Sequence, residues 1–138
     1  MPKIVLIQCA SKKYHRKARA EDLYVSDLFC SGLRYARSLN PDKIFILSAK
    51  HGVLPLDKEV EPYNITLNNM NIAAVREWAH AVAKELSEYA DLQNDHFIVL
   101  AGMRYRKFLL QYLSSYEIPM AYLPIGKQLQ FLKKGFKA

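Results

Sequence analysis

Three short segments combine residues that can hold an anion, move a proton and let a ligand approach the backbone. Ser48-Ala49-Lys50-His51-Gly52 sets a cation beside an imidazole, so one site gains both a fixed charge and a group that titrates near neutrality. Gly52 permits a sharp turn or close contact with a ligand. The plainer alternative is a turn in which Lys50 is solvated and His51 caps a backbone group. Cys9-Ala10-Ser11-Lys12-Lys13 offers a thiol, a hydroxyl and two ammonium groups. Cys9 is either a nucleophile beside basic residues or a small apolar filler at a strand end. Ala101-Gly102-Met103-Arg104-Tyr105 contributes a glycine, a cation and a phenol.

Two further stretches point at nucleic acid. The connection from Leu56 to Leu67 is long and carries Asp57, Glu59 and Glu61, and irregular connections of that length are uncommon unless they act as lids or binding loops. Within it, Tyr63 can stack on a base-like ligand and Asn64 can hydrogen-bond one. Alternatively Pro62-Tyr63-Asn64 is a turn that packs Tyr63 on the core. Lys12, Lys13, Arg16, Lys17 and Arg19 put five positive charges into eight residues, with Tyr14 and His15 interleaved. Such a run attracts phosphates, although a solvated basic flank has the same composition. Arg104, Arg106 and Lys107, and Lys133, Lys134 and Lys137 near the C-terminus, add to the positive charge.

Composition narrows the classes. The chain has 138 residues, 20 Lys and Arg against 13 Asp and Glu, a net charge of +7, and 51% hydrophobic residues. That is one domain with enough apolar material for a core, neither disordered nor fibrous. No apolar run approaches the ~20 residues of a membrane helix, and the four-residue run after Met1-Pro2-Lys3 is too short for a secretory signal. A soluble, cytoplasmic protein is expected. Two distant cysteines indicate reduced thiols, and His15, His51, His80 and His96 are too scattered for a ready zinc site, so neither metal nor other cofactor is expected. GxGxxG, P-loop, GxSxG and zinc-deaminase patterns are all missing, which removes most support for dehydrogenase, NTPase, hydrolase-elbow and deaminase readings.

These loops need elements to hold them. Ile4–Ile7, Ile44–Leu47, Phe97–Leu100 and Ala121–Leu123 are continuous apolar runs, as in strands covered on both faces. Ser26-Asp27 reads as a helix start leading to Phe29, Leu33, Ala36 and Leu39. Val75, Trp78, Ala79, Val82 and Leu86 keep helical spacing, as do Tyr105, Phe108, Leu109, Tyr112 and Leu113. A short final helix is expected near Ile125-Gly126. The pattern predicts a single α/β domain over residues 1–138, with a mostly parallel sheet of about four strands and helices on both faces. In such a sheet the three loops emerge at the carboxyl ends of the strands and converge on one cationic crevice.

The pattern of Cys9-x-Ser11-Lys12-Lys13, Leu23-Tyr24-x-Ser26-x-Leu28-Phe29, Ile46 to Leu54, Glu61-Pro62-Tyr63-Asn64-x-Thr66-Leu67, Ala101-Gly102-x-x-Tyr105-Arg106 and Ile125 to Leu132 resembles small YaaA-like bacterial and phage domains, the DUF6884 type. The resemblance implies an α/β fold associated with DNA and modified bases, some relatives being DNA glycosylases for pyrimidines such as 5-hydroxymethyluracil. Asn64 departs from it, because the group often carries Asp after Pro-Tyr; a catalytic carboxylate would then fall to Asp57, Glu59 or Glu61.

Excision of a flipped base would use Lys50, His51 and Asn64 as catalytic residues. Cys9, Ser11, Lys12, Lys13, Tyr24, Ser26, Ser48, Tyr63, Gly102, Arg104, Tyr105 and Gln128 would bind the DNA substrate. Lys50 or His51 would donate toward the base oxygen, Asn64 would read a base edge or position water, and Tyr63 would stack on the base. The competing expectations are a non-catalytic binder of nucleic acid or nucleotide, and an enzyme acting on a free nucleoside or nucleotide.

Overall fold

The computed structural model describes residues 2–136, so Lys137 of the basic set lies outside the described residues. The apolar runs form β1 (Lys3–Gln8), β3 (Lys43–Ser48) and β6 (His96–Leu100), and two-residue β2 (Ala18–Arg19) precedes β3 in the chain. β4 (Gly52–Pro55), two-residue β5 (Glu59–Val60) and β7 (Ser115–Glu117) complete the strands. The main sheet has the order β4-β3-β1-β6-β7. All its pairs are parallel except β3 with β4. A separate antiparallel pair joins β2 to β5. Ile4, Val5, Leu6, Ile46, Leu47, Phe97 and Val99 are all buried, because both faces of the central strands are covered.

The helices are α1 (Ala20–Leu23), α2 (Asp27–Ser38), α3 (Ile72–Leu86), α4 (Met103–Arg106) and α5 (Ile125–Phe136). Ser26 starts α2 as expected, its Oγ accepting the Phe29 N–H at 3.1 Å. Asn40 follows the helix with φ 50°, the left-handed conformation that closes helix ends. α2 lies over β1 and against α5, with Gly32 beside the Ile7 and Leu132 side chains. The chain moves one way across the sheet from β1 to β3 and the other way from β3 to β6. Right-handed crossovers therefore put α2 and α3 on opposite faces.

Two expected elements are replaced. Ala121-Tyr122-Leu123 is not a strand: it is a turn, with the Ala121 N–H donating to the Ile118 carbonyl and Tyr122 98% exposed. The fourth parallel strand is instead the polar edge strand β7, whose Ser-Tyr-Glu sequence carries no apolar signal, and a fifth strand, β4, is added by the turn at Gly52. The helix expected through Tyr105 and Leu113 lasts one turn as α4, and a 3-10 turn at Leu110–Tyr112 follows. Its apolar spacing reflects burial of Tyr105, Leu109 and Leu113, which irregular backbone achieves equally well.

Gly52 is required by this geometry. Its φ is +70°, and an added Cβ would lie 2.7 Å from Glu85 Oε1, the atom that accepts the Val53 N–H. Gly52→Ala is expected to destabilise the protein by about 2 kcal/mol, roughly half from the left-handed backbone and half from the displaced hydrogen bond. Urea unfolding at pH 7 measures it; unchanged stability would show that the turn relaxes freely.

Candidate functional site

The topology places a crevice at the carboxyl ends of β1 and β6, where successive connections leave in opposite directions. A cavity of about 470 Å³ lies there, within the ~300–1,000 Å³ of small-molecule sites. Its walls come from both strand ends, from the start of α2, from residues 65–68, and from Ile118, Met120, Gln128 and Leu132.

The loop after β1 supplies Cys9, Ser11, Lys12 and Lys13. The loop after β6 supplies Gly102 and Tyr105, and the Gly102 N–H donates to Gln8 Oε1 at 2.7 Å, tying the two strand ends together. Ser26 lines the cavity at the start of α2, together with Leu28 and Phe29 of the helix's first turn. Gln128 lines it from α5 while its Nε2 donates to the Leu123 carbonyl. Eight of the residues expected from the sequence to bind substrate thus meet around one space. No Asp, Glu or His is among the residues that line it.

Behind this wall is a hydrogen-bonded row of side chains. Tyr24 Oη lies 2.6 Å from Tyr63 Oη, which lies 2.7 Å from Ser48 Oγ; the latter also accepts the His51 N–H at 3.0 Å. Cys9 Sγ is 3.5 Å from Tyr105 Oη. Burial pushes the Tyr24 phenol up to about 12, and burial likewise raises Tyr63 and Tyr105, with Cys9 adding in the same direction. These phenols are therefore neutral donors and acceptors at any physiological pH.

The segment from residue 48 to 52 joins the site through Tyr63 and not through the cavity wall. Lys13 Nζ stands 4.3 Å from the Tyr63 ring centroid and Lys50 Nζ 6.0 Å from it, while the His51 ring meets Tyr63 edge-on at 5.3 Å. Lys50, His51 and Asn64 are not among the lining residues, although Ile65 and Thr66, directly after Asn64, are. Burial, followed by the Lys50 and Lys58 cations, lowers the His51 pKa, so its imidazole is neutral near pH 7. Arg104 points elsewhere: its guanidinium donates to the carbonyls of Leu67 and Met70, bracing residues 67–70.

Gln8, Thr66, Asn68 and Met120 line the cavity and were not expected from the sequence to bind substrate, while Arg106, read from the sequence only as one of the cations near the crevice, lines it too. Gln8 had a signal, a polar side chain at the carboxyl end of a buried strand. Arg106 is 8% exposed and donates to the Ala101 carbonyl at 2.8 Å, which makes it a structural cation in the floor. Among the described residues, no group of His, Cys, Asp and Glu is arranged to hold a metal, and no helix is long and apolar enough to cross a membrane.

A family model described as a family of unknown function, DUF6884, matches residues 4–134. No curated protein and no solved structure matches the chain.

Proposed function

The chain belongs to the DUF6884 family, whose function is unknown, and from its cavity we propose that it is a DNA N-glycosylase acting on a modified pyrimidine extruded from the duplex. One observation carries this reading: a nucleotide-sized cavity with hydroxyl, amide and ammonium walls opens beside the basic segment 12–19. Lys12, Arg16, Lys17 and Arg19 are exposed there and can meet phosphates on either side of an extruded nucleotide. The resemblance to YaaA-like domains supports the choice of a modified pyrimidine such as 5-hydroxymethyluracil.

In this reading Ser11, Ser26 and Gln128 hydrogen-bond the base or its 5′ and 3′ phosphates. The apolar side chains of Phe29, Ile118 and Met120 exclude water from the base. Lys50, His51 and Asn64 are assigned to the DNA flanking the extruded nucleotide, since they are outside the cavity lining. The row Tyr24–Tyr63–Ser48 holds the two halves of the site in register.

The purified protein is incubated with duplexes that each carry one modified pyrimidine, and alkali then cleaves any abasic site. Strand scission at the modified position of at least one duplex is the expected result. Intact strands throughout, with turnover of a free nucleoside or nucleotide instead, would reassign the cavity to small-molecule chemistry. Binding without turnover of either would leave a non-catalytic DNA binder.

A further inference from the structure

We propose that Lys13 is the nucleophile of the cavity, its amine attacking C1′ of the extruded nucleotide and forming an imine with the sugar. The inference rests on the glycosylase reading and specifies its chemistry. Breaking the glycosidic bond leaves an electron-poor C1′ that must be intercepted. A hydrolase would ordinarily place a carboxylate there to activate water, and none lines this cavity. The hydroxyls of Ser11, Ser26 and Thr66 line it without a neighbouring imidazole or carboxylate among the lining residues to take their protons.

The surroundings of Lys13 desolvate its amine and offer it no carboxylate partner. It is partly buried on the cavity wall, with Nζ over the Tyr63 ring at 4.3 Å and 5.7 Å from the Tyr24 ring centroid. Its one hydrogen bond among the described residues runs to the Ser11 carbonyl at 3.3 Å, and no carboxylate there lies within 4.0 Å of it. Lys133, by contrast, is exposed and ion-paired with Asp27. Burial lowers the Lys13 pKa, against an opposing pull from Cys9. A desolvated lysine without an anionic partner is the form that makes Schiff bases.

The Nζ lone pair forms a bond to C1′, and the C1′–N1 pair departs with the base, which takes up the proton released by the attacking nitrogen. The nitrogen then expels O4′, which is protonated, leaving a protonated imine between Lys13 and the opened sugar. Water adds to that imine, restoring the amine and releasing the abasic aldehyde.

Borohydride traps such an imine as a stable secondary amine. The full-length protein is incubated under borohydride with a duplex bearing 5-hydroxymethyluracil and, separately, with a duplex bearing a preformed abasic site. A covalent protein–DNA adduct mapping to Lys13 is expected with both. Lys13→Ala should lower its yield about tenfold or more, while Lys84→Ala, at an exposed position of α3 outside the cavity lining, changes it less than about twofold. Lys13→Arg keeps a long basic side chain but no nucleophilic amine, and should keep DNA binding and circular dichroism while losing the adduct, which neither a phosphate-contact nor a packing role predicts. Base release with no adduct would overturn Lys13 as nucleophile and leave the glycosylase reading standing. An adduct at Lys13 with the abasic duplex, but no base release from any modified duplex, would overturn base excision and leave the amine chemistry. An adduct mapping to another lysine overturns the assignment.

Discussion

Raising the pH above 10 is expected to unfold the protein over a narrow range, with the midpoint near pH 11 to 12. Tyr24 is 1% exposed and its phenol is pushed up to about 12, and burial raises Tyr63 and Tyr105 as well. In the unfolded chain each phenol ionises near ~10. Below that pH both states keep the protons and the stabilisation is complete. As pH rises between the unfolded and folded values, only the unfolded state loses them, so stability falls by about 1.4 kcal/mol per pH unit for each tyrosine.

For three tyrosines the loss at pH 11 is about 4 kcal/mol, a large part of the ~5–15 kcal/mol that holds a domain together. Lys13 acts in the opposite sense, because its pKa is lowered on folding, but it is only partly buried and cannot cancel three phenols. Urea titrations at pH 8, 10 and 11 measure the slope. Phenolate absorbance counts how many of the chain's nine tyrosines are ionised and should show a native plateau short of full ionisation. Full ionisation with native circular dichroism would show that the Tyr24–Tyr63–Ser48 row opens to solvent without unfolding.

Duplex binding is expected to weaken about 40-fold when monovalent salt rises from 50 to 200 mM, if three phosphates are neutralised. Three is the number of cations in the basic segment that are exposed and, among the described residues, have no carboxylate within 4.0 Å, namely Lys12, Arg16 and Lys17. Arg19 shares Glu21 at 3.8 Å and Lys13 turns toward the aromatic wall. Each phosphate contact releases condensed counterions and contributes about −0.9 to the slope of log affinity against log salt. Combining Lys12→Ala, Arg16→Ala and Lys17→Ala should remove most of that slope and most of the low-salt affinity together. Fluorescence anisotropy across the salt range reads both. A triple variant with the parental slope would place the DNA path elsewhere on the surface.

The three central strands were legible because each is a continuous apolar run, and a strand buried on both faces has no alternative way to be written. The start of α2 was legible for the same local reason: Ser26 satisfies an amide three residues away. β7 was not, because an edge strand of Ser115, Tyr116 and Glu117 is recruited by hydrogen bonds from β6 and not by its own composition. The run at 121–123 misled because three apolar residues fit a turn as well as a strand, and here Tyr122 stands in solvent.

For the site, residue types alone singled out Cys9, Ser11, Lys12, Lys13, Ser26, Gly102, Tyr105 and Gln128, and the strand ends bring them to one cavity. The pairing of Lys50 with His51 was equally visible in sequence, yet the antiparallel turn into β4 leaves that pair against Tyr63 and outside the cavity lining. Local sequence determined the strands, the helix start and the stock of chemical groups, since those depend on neighbours within a few positions. Which groups share a cavity, and that Lys13 sits there without a carboxylate, was decided only by the strand order, because contacts between residues ninety positions apart exist only once the sheet is assembled.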